Sequence, residues 1–188
     1  MIEQIHFDKQ FHNLQIDTAE NHEYEKCDFK SCDFSSANLR LAKFIDCSFD
    51  QCNLSNADIN KSSFQDCLFT DCKMLGLKFE SINTFNFSAS FRQCQLMHSS
   101  FYQLHLKQCS FISCDLQEVD FTEADLSGIQ MICCHLGGST FDRTNLSNTD
   151  LRDSHSFIIS PSLNSIKGAH FSKEYIDGLL AEFQIEIS

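Results

Sequence analysis

The groups in this 188-residue chain best able to do chemistry are its eleven cysteines and eight histidines, as metal ligands, nucleophiles or redox partners. Their spacing argues against each role. CDFKSC, CSFDQC, CLFTDC and CSFISC place four residues between cysteines, whereas zinc sites usually have two or three. The histidines, scattered from His6 to His170, do not gather around these pairs. There is no Gly-rich phosphate loop and no nucleophile elbow around a serine. The sequence therefore predicts no metal, no cofactor and no enzymatic activity. Its 26 acids against 14 bases, a net charge of −12, exclude nucleic acid as the direct ligand, because phosphate binding needs Lys and Arg. A basic partner suits this charge better.

The elements that must position these residues follow from a period of five. From Phe29 to Phe79, and again from Phe91 to Leu151, every fifth residue is apolar, in 24 positions out of 24. With 42% apolar residues, chance gives this on the order of once in a billion trials. Two residues before each centre the side chain is Cys, Ala, Ser or Thr in 20 of the 24 repeats. A helix cannot produce the pattern, because steps of five scatter around its circumference. A straight strand fails as well, since steps of five alternate its faces. A chain that bends once every five residues satisfies both rules, with one large and one small side chain inward per segment. Four segments make a square coil of twenty residues.

The cysteines fit that coil. Cys27, Cys47 and Cys67 recur at twenty, as do Cys32, Cys52 and Cys72, and Cys94, Cys114 and Cys134. A two-residue register slip in SINTFNFSAS, near residues 81–90, makes Cys72 and Cys94 vertical neighbours and yields a column of six. Ten cysteines are therefore expected as small inward hydrophobes, without disulfides, and Cys133 alone as an outward thiol.

Repeats such as CDFKS, ANLRL, CNLSN, CDLQE, ADLSG and TDLRD resemble the pentapeptide-repeat proteins, with consensus A(D/N)LxX. The resemblance implies an all-β fold, a right-handed quadrilateral β-helix, over residues 24–153, with an N-terminal cap over 1–23 and a C-terminal end over 154–188. Phe7, Phe11, Leu14 and Ile16 lie outside the register and are expected to fold over the first coil. After a loop marked by Pro161 and Gly168, Ser172 is placed to N-cap a helix over Lys173–Phe183, whose Ile176, Leu179, Leu180 and Phe183 form one apolar stripe. Ile185 and Ile187 then alternate in the tail.

That ending is similar to the Qnr-type quinolone-resistance and microcin-immunity branch. The resemblance implies a homodimer joined at the C-terminus, here through Phe183, Ile185 and Ile187, and a rod that mimics DNA on the basic surface of DNA gyrase or topoisomerase IV. A general protein-interaction scaffold is the alternative. Charge placement alone selects the partner-binding candidates: Asp115, Glu118, Asp120, Glu123 and Asp125, a run with no Lys or Arg, together with Asp142. The opening residues contain no basic segment followed by an apolar run, so a cytoplasmic location is expected.

Overall fold

The computed structural model describes residue 2 and residues 4–185. The chain winds as the expected quadrilateral β-helix, every named strand running parallel to its neighbours. One face is a four-stranded sheet of β1 (Gln4–Phe7), β3 (His22–Glu25), β5 (Lys43–Ile45) and β7 (Ser63–Gln65). The next face holds nine strands: β2 (Gln10–His12), β4 (Asp28–Lys30), β6 (Ser48–Asp50), β8 (Cys67–Thr70), β9 (Ala89–Arg92), β10 (Cys109–Ile112), β11 (Gln130–Ile132), β12 (Asp150–Leu151) and β13 (His170–Phe171). The other two faces are held by single bridges, such as Asp33 beside Asn53 and Asn38 beside Asp58.

Each bend has a common geometry. The second residue after nearly every centre turns left-handed, as at Ser31, Ser36, Leu41, Asp46, Gln51 and Asn56, with φ between 51° and 59°; Ser81 and Gln108 are the exceptions among the 24 centres. This conformation is unfavourable for L-residues. Here it is offset, because each bend donates its N–H to the coil above: Ser31 N to Asp50 O at 2.8 Å, Ser36 N to Ser55 O at 2.9 Å, Asp46 N to Gln65 O at 2.8 Å. A second bond closes the corner, as from Ala37 N to Phe34 O at 2.9 Å. The spacing of five is thus the length of one short segment plus one turn.

The interior is built of aromatic ladders. Phe29, Phe49, Phe69, Phe91 and Phe111 stack with centroids 4.7 to 5.2 Å apart and interplanar angles of 6° to 14°. On another face Phe79, Phe101, Phe121 and Phe141 do the same. Beside them runs the column of six thiols. Lys73 pairs with Gln95, so Cys72 and Cys94 are neighbours, and the two extra residues are taken up between Asn83 and Ser88. Sγ of Cys52, Cys72 and Cys94 donates to the carbonyls of Phe29, Phe49 and Phe69 at 3.3, 3.3 and 3.5 Å. Ten cysteines are buried and Cys133 is exposed; none forms a disulfide.

Two expectations at the ends require correction. Phe11 and Ile16 do not fold over the first coil; they belong to it. Phe11 lies beside Phe29 in the strand ladder, and Ile16 N donates to Asp33 O at 2.8 Å. The offset is eighteen residues at Gln15 beside Asp33 and twenty at Thr18 beside Asn38, so the first coil is two residues shorter. Only Phe7 and Leu14 remain outside and exposed. At the other end, Lys173–Leu179 and Ala181–Phe183 are 3₁₀ turns, and Ser172 makes no capping bond. With three residues per turn Ile176 and Leu179 lie one above the other, but Leu180 falls on another side and Phe183 belongs to the next segment, so the four-residue stripe is broken. Leu179 packs against the core, whereas Ile176 and Phe183 are exposed.

Candidate functional site: the acidic coil and the C-terminal end

The carboxylates from Asp115 to Asp125 all point outward, but they wrap around three of the four faces of one coil. Asp115 bridges Gln95 and His135, Asp120 bridges Ser100 and Thr140, and Asp125 bridges His105 and Asn145, on three successive faces. Glu118 and Glu123 sit at the left-handed corners between them, with φ of 55° and 58°. A flat partner surface cannot meet all five. Asp142 lies one coil above, and Glu123 N donates to its carbonyl at 2.8 Å. Asp120, Glu123 and Asp142 are therefore the members that share a side of the rod.

Most of these charges already have partners. Glu118 meets His98 Nδ1 at 3.0 Å. Arg143 Nη2 lies 2.7 Å from Glu123 Oε1 and 3.2 Å from Asp142 Oδ2. Asp125 accepts from Asn145 Nδ2 at 2.9 Å and Ser127 N at 3.1 Å, with Lys107 Nζ at 3.3 Å. Burial would push the Asp125 carboxyl up, but the bonds from Ser127 and the Lys107 charge outweigh it and hold its pKa below the ordinary value. Asp115 takes the Gln117 amide at 3.1 Å and the Gln117 N–H at 3.2 Å. Asp120 accepts only Thr122 N at 2.9 Å and has no cation beside it among the described residues.

At the C-terminal end, Gly178 O accepts Ile159 N at 3.1 Å, and Glu182 accepts the hydroxyls of Ser160 and Ser162. The Ser172 hydroxyl, rather than capping a helix, donates to Asp153 Oδ1 and accepts Asp153 N, each at 2.9 Å. Ile158, Phe183 and Ile185 are left exposed at 68, 59 and 57%. Ile187 lies outside the described residues. Among the described residues, no group of three or more His, Cys, Asp or Glu could hold a metal ion, and no helix is long and apolar enough to cross a membrane.

A parallel β-solenoid with one large and one small inward residue per five, turning left-handed at each corner, defines a class of repeat protein. The chain belongs to the pentapeptide repeat family: residues 22–88 and 85–156 match the model of the pentapeptide repeat region. No curated protein matches it significantly. Among solved structures it is similar to a trypsin-treated form of QnrB1, a plasmid-mediated fluoroquinolone resistance protein. The two are 19% identical over 98% of this chain and 100% of that one, with a TM-score of 0.65. A second trypsin-treated form is 21% identical over 97% and 99%, with a TM-score of 0.53. HetL, a pentapeptide repeat protein involved in heterocyst differentiation regulation from the cyanobacterium Nostoc, is 16% identical over 88% and 85%, with a TM-score of 0.54. These likenesses concern the fold.

Proposed function

We propose that this rod is a Qnr-type DNA mimic that binds a type II topoisomerase, DNA gyrase or topoisomerase IV, and shields it from quinolones or gyrase-directed toxins in the cytoplasm. The observation that carries the reading is the match in fold to QnrB1 along nearly the whole of both chains. Net charge supports it in sign. Magnitude limits it: nine rungs at roughly 4.8 Å span about 38 Å, over which a duplex carries about 22 charges. The net −12 is spread over all four faces, and several of the 26 acids are tied up in ion pairs, so the mimicry is partial. It rests on carboxylates able to give up weak internal partners, with Asp120, Glu123 and Asp142 the group on one side. The mechanism is competition for a basic surface, with no bond made or broken. Phe183, Ile185 and Ile187 supply the contact of a homodimer.

The scaffold reading also has an observation in its favour. HetL shares the fold and is involved in heterocyst differentiation regulation, so the rod alone does not fix the partner. A gyrase supercoiling assay across a salt series separates the two. Topoisomerase binding predicts inhibition that weakens as salt rises, or rescue of the enzyme from a quinolone. Absence of both leaves the scaffold. For the dimer, Ile185→Asp is expected to halve the solution mass, and an unchanged mass removes the tail from the interface.

A further inference from the structure

The first coil carries an anomaly that the proposed function does not use. At the inward position where Tyr24, Phe44 and Phe64 stand on the coils above, it has His6. The imidazole stacks on Tyr24 with centroids 4.6 Å apart and meets Phe11 edge-on at 5.7 Å. Its Nε2 is buried and has no hydrogen-bond partner among the described residues. A neutral ring can be held there as one more aromatic rung. Because the Lys9 ammonium can only donate to Nδ1, the neutral ring carries its proton on Nε2, and protonation sets a second N–H on Nδ1 against a cation that cannot accept it.

We propose that the first coil is a proton-operated end: protonation of His6 detaches β1 from β3 and leaves the Tyr24 ring and the β3 edge uncovered.

The surrounding charges favour release over capture of the proton. Lys9 Nζ lies 3.5 Å from His6 Nδ1, and the His22 ring is 5.7 Å away. On β3, Glu23 and Glu25 flank inward Tyr24 on the outward side, and Glu23 is already paired with Lys43 at 3.2 Å. Asp8 turns out at the left-handed corner, and His12 lies beyond Phe11 on the outward side of β2. From the core, Cys27 Sγ donates to the His6 carbonyl at 3.5 Å and leaves the ring untouched. Burial first, then Lys9 and His22, holds the His6 pKa below its ordinary value. Folding therefore favours the neutral ring. The stability this contributes is complete above the ordinary pKa of about 6.5 and is lost as pH falls from there through the folded value.

The test is hydrogen exchange on the full chain at about pH 7.5 and about pH 5, corrected for intrinsic rates, with His6 followed by ring NMR. Amides of β1 are expected to lose protection several-fold on acidification while those of β10 and β11 keep theirs. His6→Phe, which supplies the residue that Phe44 and Phe64 place on the same face, is expected to fold and to abolish the loss. His22→Gln is expected to retain it. Equal protection of β1 at both pH values, or the same loss in His6→Phe, overturns the proposal. So does a His6 ring that titrates no lower than the ordinary value of about 6.5.

Discussion

Gly178 lies directly against the backbone of Phe157. A methyl group built on Gly178 would collide with the Phe157 carbonyl oxygen and come within 2.9 Å of its ring. This close approach lets the 3₁₀ segment settle on the last coil, with Leu179 against the core and Gly178 O bonded to Ile159 N. Gly178→Ala is expected to lift the segment and cost about 1–3 kcal/mol, the range for an overpacked contact. Chemical denaturation reads the loss, and trypsin should cut sooner after Lys167 or Lys173. Unchanged stability and cleavage would show that the segment contributes nothing to the rod.

Phe111 tests the ladder itself. It is fully buried, stacks on Phe91 at 5.0 Å and meets Phe101 edge-on at 5.5 Å. Phe111→Ala leaves a gap between coils that cannot close without breaking the rungs on either side. A loss of about 3–5 kcal/mol in urea denaturation is expected. Phe85, 70% exposed in the register slip, serves as the control, with little change on replacement by Ala.

The contrast between these two phenylalanines marks what was legible in the sequence. Phe111 falls in an unbroken period of five, and that period reflects a hard constraint, since every coil must place a large group at the same height. The Cys72 and Cys94 stack followed from the same count once two residues were allowed for. The opposite slip, near Ile16 to Thr18, was not legible because the inward positions around it hold Ala19 and His6, a small residue and a polar one. Tyr24 and Ala19 do keep the phase of Phe29, which is the signal that could have extended the repeat. The stripe Ile176, Leu179, Leu180 and Phe183 predicted one continuous helix from local spacing, whereas the segment forms two 3₁₀ turns with Gly178 pressed against Phe157, a tertiary contact that local spacing does not carry. Asp115 to Asp125 are close in sequence because they travel around one coil, and for that reason they diverge in space.

Thiol chemistry should distinguish Cys133 from the other ten. Burial pushes the Cys109 thiol up to about 12 and raises Cys67 as well, so neither offers appreciable thiolate at about pH 8. Native protein is expected to react with one equivalent of a disulfide reagent, denatured protein with all eleven. Cys133→Ser should abolish the native reaction. Several fast-reacting thiols in native protein would mean that coils open readily.

Asp150 gives the rod a pH-dependent contact. The Arg152 guanidinium holds it bidentately, Nε at 2.9 Å and Nη2 at 2.7 Å, and keeps its carboxyl below the usual range. A depressed carboxyl contributes stability above its unfolded pKa of about 3.9, and that contribution is lost as pH falls through the folded value. Asp150→Asn should therefore lower the urea midpoint slightly near neutral pH, as expected of an exposed ion pair, and match the parent once pH has fallen below the folded value. A midpoint difference that persists in acid would assign the effect to hydrogen-bond geometry rather than charge.

Arg143 offers a way to raise the negative charge of one side without adding an acid. Its guanidinium occupies both Glu123 and Asp142, on the side of the rod that carries unpaired Asp120. If those carboxylates meet a basic topoisomerase surface, Arg143→Ala frees two of them. Supercoiling inhibition should then strengthen several-fold at low salt and fall more steeply as salt rises. Asp120→Lys should act in the opposite direction. Asp125→Asn, which changes a carboxylate on another face, should have little effect on inhibition. Should Arg143→Ala and Asp120→Lys both leave inhibition unchanged, this side of the rod is not the contact. An effect of Asp125→Asn would then move the contact around the coil to the next face.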